Sequence, residues 1–378
     1  MKIIILKSNL QKILNIIQKI ITKNPKLPIL ENILIEIENK KIKISATNLE
    51  LGLNIWLKGK IEGSGKVCIP INLISNIINN SKDERIELNI ENLNLIIKSD
   101  NYNAIIKGYD YNDFPIIPNL NTILLSIKNK EKENILEIST KELKELIFQL
   151  ENIATISETH PELSGIYLKF KKDEIEAVVT DSIRLGIKKI KIKNNIFINK
   201  NIILPLISFN ELIQILNLQE YENVKIIIND NQIVFDFGDI YFVSRLINGN
   251  YPNYEQIIPK EFNVILKLNK QEFINQLKLV SLFTSNNNDI KLEILNKENK
   301  IKLISQIQQG SSNALINADI EGRGLDNIIL NYKFILDGLN NIKDKNNIIF
   351  KIQNESTPVL IEGLEKDNFV YILMPIKS

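Results

Sequence analysis

The side chains able to do chemistry are few, and their spacing does not assemble a reaction. His160 is the only histidine and Cys68 the only cysteine, so there is no zinc-type cluster and no nucleophile beside a base. Gly63-Ser64-Gly65-Lys66 is close to a phosphate-binding loop, but Gly59 is one place off the required spacing. Val67 also follows where a magnesium-binding Ser or Thr is needed, so the stretch reads as a hairpin turn. Gly322-Arg323-Gly324 lacks the third glycine of a dinucleotide fingerprint. His160, followed by Pro161, reads as a loop residue. Asp181, inside Thr180-Asp181-Ser182-Ile183-Arg184, reads as a turn-stabilising carboxylate rather than an acid or base. The expectation is a chain with no catalytic residue, metal or cofactor, acting through its surfaces.

Composition narrows the class. The chain has 378 residues, 44% of them hydrophobic, enough for two or three domains. A lone cysteine suits a reducing, cytosolic compartment. The apolar run at the N-terminus is too short for a signal peptide, and no later run approaches a membrane span. Forty-seven basic residues against 45 acidic ones leave a net charge of only +2, so any nucleic-acid contact requires the cations to be gathered on one surface. The abundance of Ile, Lys and Asn is what a gene of high A+T content gives, and it weakens arguments from lysine clusters alone.

The elements around the Asp181 turn recur. Ile166–Phe170 alternates apolar and polar residues, Lys171-Lys172-Asp173 turns the chain, and Glu174–Val179 returns in the same alternation, a hairpin with one buried face. Ile33–Ile37 with Ile42–Ile44, and Ile290–Leu295 with Lys300–Ile304, repeat it. Each copy follows an amphipathic helix: Leu10, Ile13, Leu14, Ile17, Ile20 and Ile21 with Ser8 as N-cap, then Leu143, Leu146, Ile147 and Leu150 from Thr140, then Phe273, Leu277 and Val280 from Asn269. The starts lie about 130 residues apart, one domain per repeat. A second helix follows in each third, at Pro70–Ile78, Pro205–Leu216 and Asn331–Leu339, two of them opening on a proline. Strand pairs at Ile86–Lys98, Val224–Phe237 and Ile348–Ile361 complete the thirds. Proline-marked exits divide the chain into residues 1–125, 126–257 and 258–378.

Four runs in register carry a resemblance. They are Leu27-Pro28-Ile29-Leu30 with Asn32-Ile33-Leu34, Thr180–Leu185, Ser244–Tyr254, and Tyr371-Ile372-Leu373-Met374-Pro375-Ile376. Together they are similar to the bacterial sliding clamp family, the beta subunit of DNA polymerase III, along the whole chain. The resemblance implies an α+β fold of three repeated clamp domains, each a helix pair packed on antiparallel sheet. Two chains would form a closed ring with helices lining the hole, a head-to-tail homodimer. It implies a non-enzymatic processivity factor in the bacterial cytoplasm, at the nucleoid. Its partners would be encircled double-stranded DNA, the DNA polymerase III alpha subunit, the clamp-loader delta subunit and other clamp-motif peptides.

Sites follow from the same resemblance. Sliding needs weak, interchangeable lysine–phosphate contacts without base readout, for which Lys12, Lys19, Lys23, Lys26, Lys141, Lys144, Lys270, Lys278 and Lys333 are candidates. In the loop Lys23-Asn24-Pro25-Lys26, Asn24 stands where relatives often carry arginine. A partner-peptide cleft would be formed by Leu163, Thr180, Ser182, Arg184, Leu185, Pro252, Ile257, Phe334, Pro358, Ile372 and Met374. Ser182-Ile183 replaces the Gly-His of many relatives, and Gln256 stands where some have arginine. The ring seam would set Ala104 and Ile106 against Leu279 and Leu282. The competing expectation is a clamp-derived scaffold that binds proteins without encircling DNA.

Overall fold

The computed structural model describes residues 2–21, 26–38, 40–118, 135–153, 155–192, 200–365 and 367–377. Its six helices among those residues are α1 (Lys7–Ile20), α2 (Ile71–Asn80), α3 (Thr140–Leu150), α4 (Leu206–Leu216), α5 (Lys270–Val280) and α6 (Tyr332–Asn341). Each begins at the residue after a strand ends, with no loop between. The strand therefore aims the helix, and capping is secondary. This explains why Ser8 is not the N-cap expected of it. The strand Lys2–Leu6 runs straight into Lys7, whose backbone N–H donates to the Glu84 carbonyl at 2.8 Å. Pro70 and Pro205 likewise close strands instead of opening helices. Asn269 and Asn331 do cap α5 and α6 through their side chains, satisfying N–H groups that a helix start leaves free.

The chain divides into two compact units. The first comprises Met1–Lys144 and Ile207–Ile247. It holds a five-stranded sheet and an eight-stranded one. The larger sheet crosses from one repeat to the next: Leu51–Leu57 lies antiparallel to Ile240–Arg245, with Leu51 opposite Ser244 and Leu53 opposite Phe242. The inward face of α1 is buried as its 3.6-residue spacing requires, from Leu10 to Ile20. Gly63–Gly65 is not a hairpin turn. Lys60–Glu62 belongs to the five-stranded sheet and Lys66–Pro70 to the eight-stranded one, so the glycines carry the chain between sheets.

The second unit comprises Glu145–Leu206 and Asn248–Ser378 and is built on one twelve-stranded sheet. Here too a ladder joins two repeats: Arg184–Lys191 pairs antiparallel with Phe369–Leu373, Arg184 opposite Leu373 and Gly186 opposite Tyr371. The three hairpins read from alternation all form, with a two-residue turn at Lys172-Asp173 between Lys171 and Glu174. Phe273, Leu277 and Val280 of α5 are fully buried, and the Phe273 ring lies 5.3 Å from that of Phe350.

Candidate functional site: a partner-binding surface in the second unit

Thr180–Arg184 is a turn whose side chains satisfy its own backbone. Thr180 Oγ1 donates to the Arg184 carbonyl at 2.6 Å and accepts from Ser182 N–H at 3.1 Å. Asp181 Oδ1 accepts from the N–H groups of Ile183 and Arg184, at 3.0 and 2.7 Å. Ser182 sits at φ 73°, a left-handed conformation that a small polar residue tolerates. Asp181 is thus the turn carboxylate its position suggests. The turn leaves the Ser182 and Ile183 side chains exposed, and the Ile183 carbonyl accepts from Met374 N–H at 2.9 Å.

Arg184 points the other way, only 5% exposed. Its Nε donates to Asp181 Oδ2 at 2.9 Å, Nη1 to Asp337 Oδ2 at 2.7 Å and Nη2 to the Ile153 carbonyl at 3.2 Å. The guanidinium carbon lies 4.2 Å from the centroid of the Phe334 ring, a cation–π contact. Phe334 is held as well: Tyr371 Oη donates to its carbonyl at 2.9 Å. Burial raises the Tyr371 pKa far above the phenolic range, so the hydroxyl remains a donor. A side chain at Gly338 would overlap the Tyr371 ring, so α6 approaches the C-terminal strand this closely only because that position is glycine. Sequence reasoning missed Asp337, Tyr371 and Gly338. Asp337 is one helical turn beyond Phe334, but the arginine that defines its role is 153 residues away.

Seven of the eleven expected cleft residues are linked by these contacts and the ladder: Thr180, Ser182, Arg184, Leu185, Phe334, Ile372 and Met374. Pro358 precedes Val359, which pairs with Leu373. Ile257 and Pro252 are exposed on the segment around Tyr254, whose ring packs with Leu185 and Ile372. Leu163 is buried in the short turn leading into Gly165–Lys171. Leu185 and Ile372 are core, 1% and 2% exposed, because in the ladder they face the same buried layer as Val178 and Leu360. Ile183, next to Leu185, was not in the expected set, yet it is on the surface.

The other surfaces are mixed. Lys12, Lys19, Lys26, Lys141, Lys278 and Lys333 are exposed, Lys144 is half-buried, and Lys23 lies outside the described residues. Lys19 Nζ donates to Gln214 Oε1 at 2.7 Å. Lys270 is drawn into the protein, its Nζ donating to the carbonyls of Ile342 and Asp344 at 2.6 and 3.0 Å. These bonds set its ammonium at the end of α6, while burial lowers its pKa despite Asp344 and Asp367 nearby. At the expected seam, Leu279 and Leu282 are exposed and Ala104 is half-buried, but Ile106 is in the core at 3%. Alternation along Asn103–Lys107 turns Ile105 outward instead, 63% exposed.

Cys68 is fully buried, and burial, followed by the Asp113 charge, pushes its thiol up to about 12, far from a reactive thiolate. His160 contacts Glu162 Oε1 at 3.2 Å in a loop.

Three repeats joined edge to edge by sheet, with a preformed surface turn braced by a buried guanidinium, make this a clamp-type protein. The descriptions "DNA polymerase III beta subunit" for N-terminal, central and C-terminal domains match residues 1–130, 137–253 and 255–377 in turn. The beta sliding clamp of Staphylococcus epidermidis is 26% identical over 97% of this chain and 96% of its own. The sliding clamp of Bacillus subtilis superposes with a TM-score of 0.91 at 26% identity, covering 100% of this chain and 99% of that one. A clamp from Bartonella birtlesii solved bound to griselimycin gives 0.90 at 25% identity, with full coverage of both chains.

The chain therefore belongs to the family of DNA polymerase III beta subunits, the beta sliding clamps. It is a processivity factor of DNA replication and a non-catalytic polymerase subunit, whose partners are DNA and a DNA polymerase. No helix among the described residues is long and apolar enough to cross a membrane.

Proposed function

We propose that two copies of the chain close head to tail around duplex DNA, with repeats at residues 1–125, 126–257 and 258–378. Partners then dock as short peptides on the surface formed by Ser182, Ile183, Pro252, Ile257, Phe334, Pro358 and Met374. The DNA polymerase III alpha subunit and the clamp-loader delta subunit are the partners expected first. The observation that carries this reading is the braced turn: it presents exposed Ile183 beside the C-terminal strand while Arg184 and Phe334 are fixed beneath it. A surface that is rigid before binding loses little entropy when an extended peptide settles on it.

Closure is proposed to bury Leu279 and Leu282 against the strand Asn103–Lys107, with Ile105 replacing Ile106 in the contact. Leu282, 73% exposed, is the anchor. The duplex is proposed to meet Lys12, Lys19, Lys23, Lys26, Lys141, Lys144, Lys278 and Lys333 through phosphates alone. Lys270, bonded to carbonyls, is left out of this set.

Fluorescence anisotropy with a Gln-x-x-Leu-Phe peptide tests docking. Saturable binding that Met374→Asp abolishes is expected, and no binding to the folded protein sinks the docking reading. Sedimentation tests closure separately: a dimer that Leu282→Asp converts to monomer is expected. Retention on circular DNA that linearisation releases distinguishes a ring from a scaffold that does not encircle DNA.

A further inference from the structure

The charge of the docking surface opposes that of the chain. The whole molecule carries +2, yet the segments bearing the docking residues, taken together with residues 151–163, whose Ile153 carbonyl meets Arg184, are acidic. Around the turn, along residues 151–163, on α6 and beside Pro358 stand Glu151, Glu158, Glu162, Asp181, Asp337 and Glu355. The cations on the same segments and the tail are Arg184, Lys333 and Lys377. Glu255 is neutralised by Lys169 at 2.7 Å.

Arg184 cannot offset this excess for a ligand. Its guanidinium is buried and already bonded to two carboxylates and a carbonyl. One positive charge shared by Asp181 and Asp337 leaves one negative charge over. Asp181 is almost fully enclosed and accepts three N–H groups. Asp337 is 39% exposed and lies one helical turn from Phe334, on the same side of α6. The surplus therefore faces solvent at Asp337. Lys333 forms no ion pair with Asp337 among the described residues.

We infer that the surface selects peptides whose apolar anchors are flanked by lysine or arginine, with Asp337 as the specificity-determining residue. This rests on the docking reading above. Arg184 acts as a positioning residue, holding Asp337 and Phe334 instead of meeting the peptide. Long-range attraction toward the acidic rim raises the association rate and weakens with salt.

The test uses the full chain and two fluorescent peptides sharing a Gln-x-x-Leu-Phe core, one flanked by two lysines and the other by two glutamates. Exposed pairs are individually weak, so the lysine-flanked peptide is expected to bind about fivefold to tenfold tighter at low salt. Asp337→Asn keeps the side-chain shape and is expected to cut that ratio by about half or more, as is raising the salt about tenfold. Equal affinities, tighter binding of the glutamate-flanked peptide, or a ratio unmoved by Asp337→Asn overturns the inference and leaves docking intact. Binding of neither peptide overturns docking itself, and the inference with it.

Discussion

Two junctions between repeats, one in each unit, share a backbone and differ in what they present. In the first unit, Thr47 Oγ1 donates to the Leu51 carbonyl at 2.7 Å, and Asn48 Oδ1 accepts from Glu50 and Leu51 N–H at 3.0 and 2.7 Å. Leu49 takes φ 75°, and Arg245 N–H donates to the Glu50 carbonyl at 2.9 Å. These are the bonds of the Thr180–Arg184 turn, one for one, including the link to the neighbouring strand. The side chains diverge. Leu51, in the core, stands where Arg184 is. Glu50 and Arg245 pair with each other at 3.4 Å where Ile183 and Met374 offer apolar surface. Ser208, bonded to Ser244 at 2.6 Å, holds the helix position of Phe334. The same turn is thus covered by an ion pair in one place and, in the other, carries the apolar surface proposed above for docking. Backbone bonds build the junction, and a handful of side chains decide what surface it presents.

The largest effect that tests this contrast is at Arg184. Arg184→Ala strands Asp181 and the Ile153 carbonyl in a nearly dry site and leaves the partly exposed Asp337 unpaired, a loss of about 3–5 kcal/mol, read as a drop in Tm. Leu51→Ala at the matching position costs about 2–4 kcal/mol through a cavity, but without the ionic-strength dependence expected of Arg184→Ala. Identical salt responses of the two variants would remove the electrostatic half of the comparison.

Next is transfer of function. Phe334→Ala is expected to weaken peptide binding about tenfold or more, as loss of a central aromatic anchor does. A Glu50→Ile, Arg245→Met variant is expected not to gain a second binding site, because Ser208 offers no aromatic wall. A stoichiometry of two peptides per chain in calorimetry would show that surface apolarity alone suffices.

The smallest effects concern pH, where one carboxylate in each unit has opposite sign. Burial opposes the charge of Glu145, but hydrogen bonds from Lys188 and Lys343 win and hold its pKa below the ordinary 4.5. Its stabilisation is present above the unfolded value and is lost as pH falls through the folded one. Glu145→Gln, which leaves Lys188 buried, is therefore expected to cost on the order of 1–2 kcal/mol at pH 7 and much less near pH 3. Glu211 in the first unit is buried with Oε2 unpartnered. Burial raises its pKa above 4.5 despite Lys19. Its contribution is full below the unfolded value and is lost as pH rises through the folded one. Glu211→Gln is accordingly expected to add about 1 kcal/mol at pH 8 and nothing near pH 4. Melting curves from pH 3 to 8 check both signs.

Much of the fold was determined by local pattern. Alternation in Ile33–Ile37, Ile166–Phe170 and Ile290–Leu295 set the hairpins, and 3.6-residue spacing set the faces of α1, α3 and α5. Both periodicities are properties of the backbone and need no partner. Thr180 and Asp181 also specified their turn, since each bond runs within four residues. What only the tertiary structure decided depends on distant chain. The start of α1 was fixed by strand direction and Glu84, not by Ser8. The outward residue of Asn103–Lys107 was set by which face of the sheet the core covered, which alternation leaves open by one register. Burial of Leu185 and Ile372 followed from the ladder between repeats. Arg184 became a brace rather than a free cation only because α6, from the far end of the chain, brought Asp337 and Phe334 to it. A charge buried among its counter-charges is a property of the assembled site, and no local pattern in the sequence encodes it.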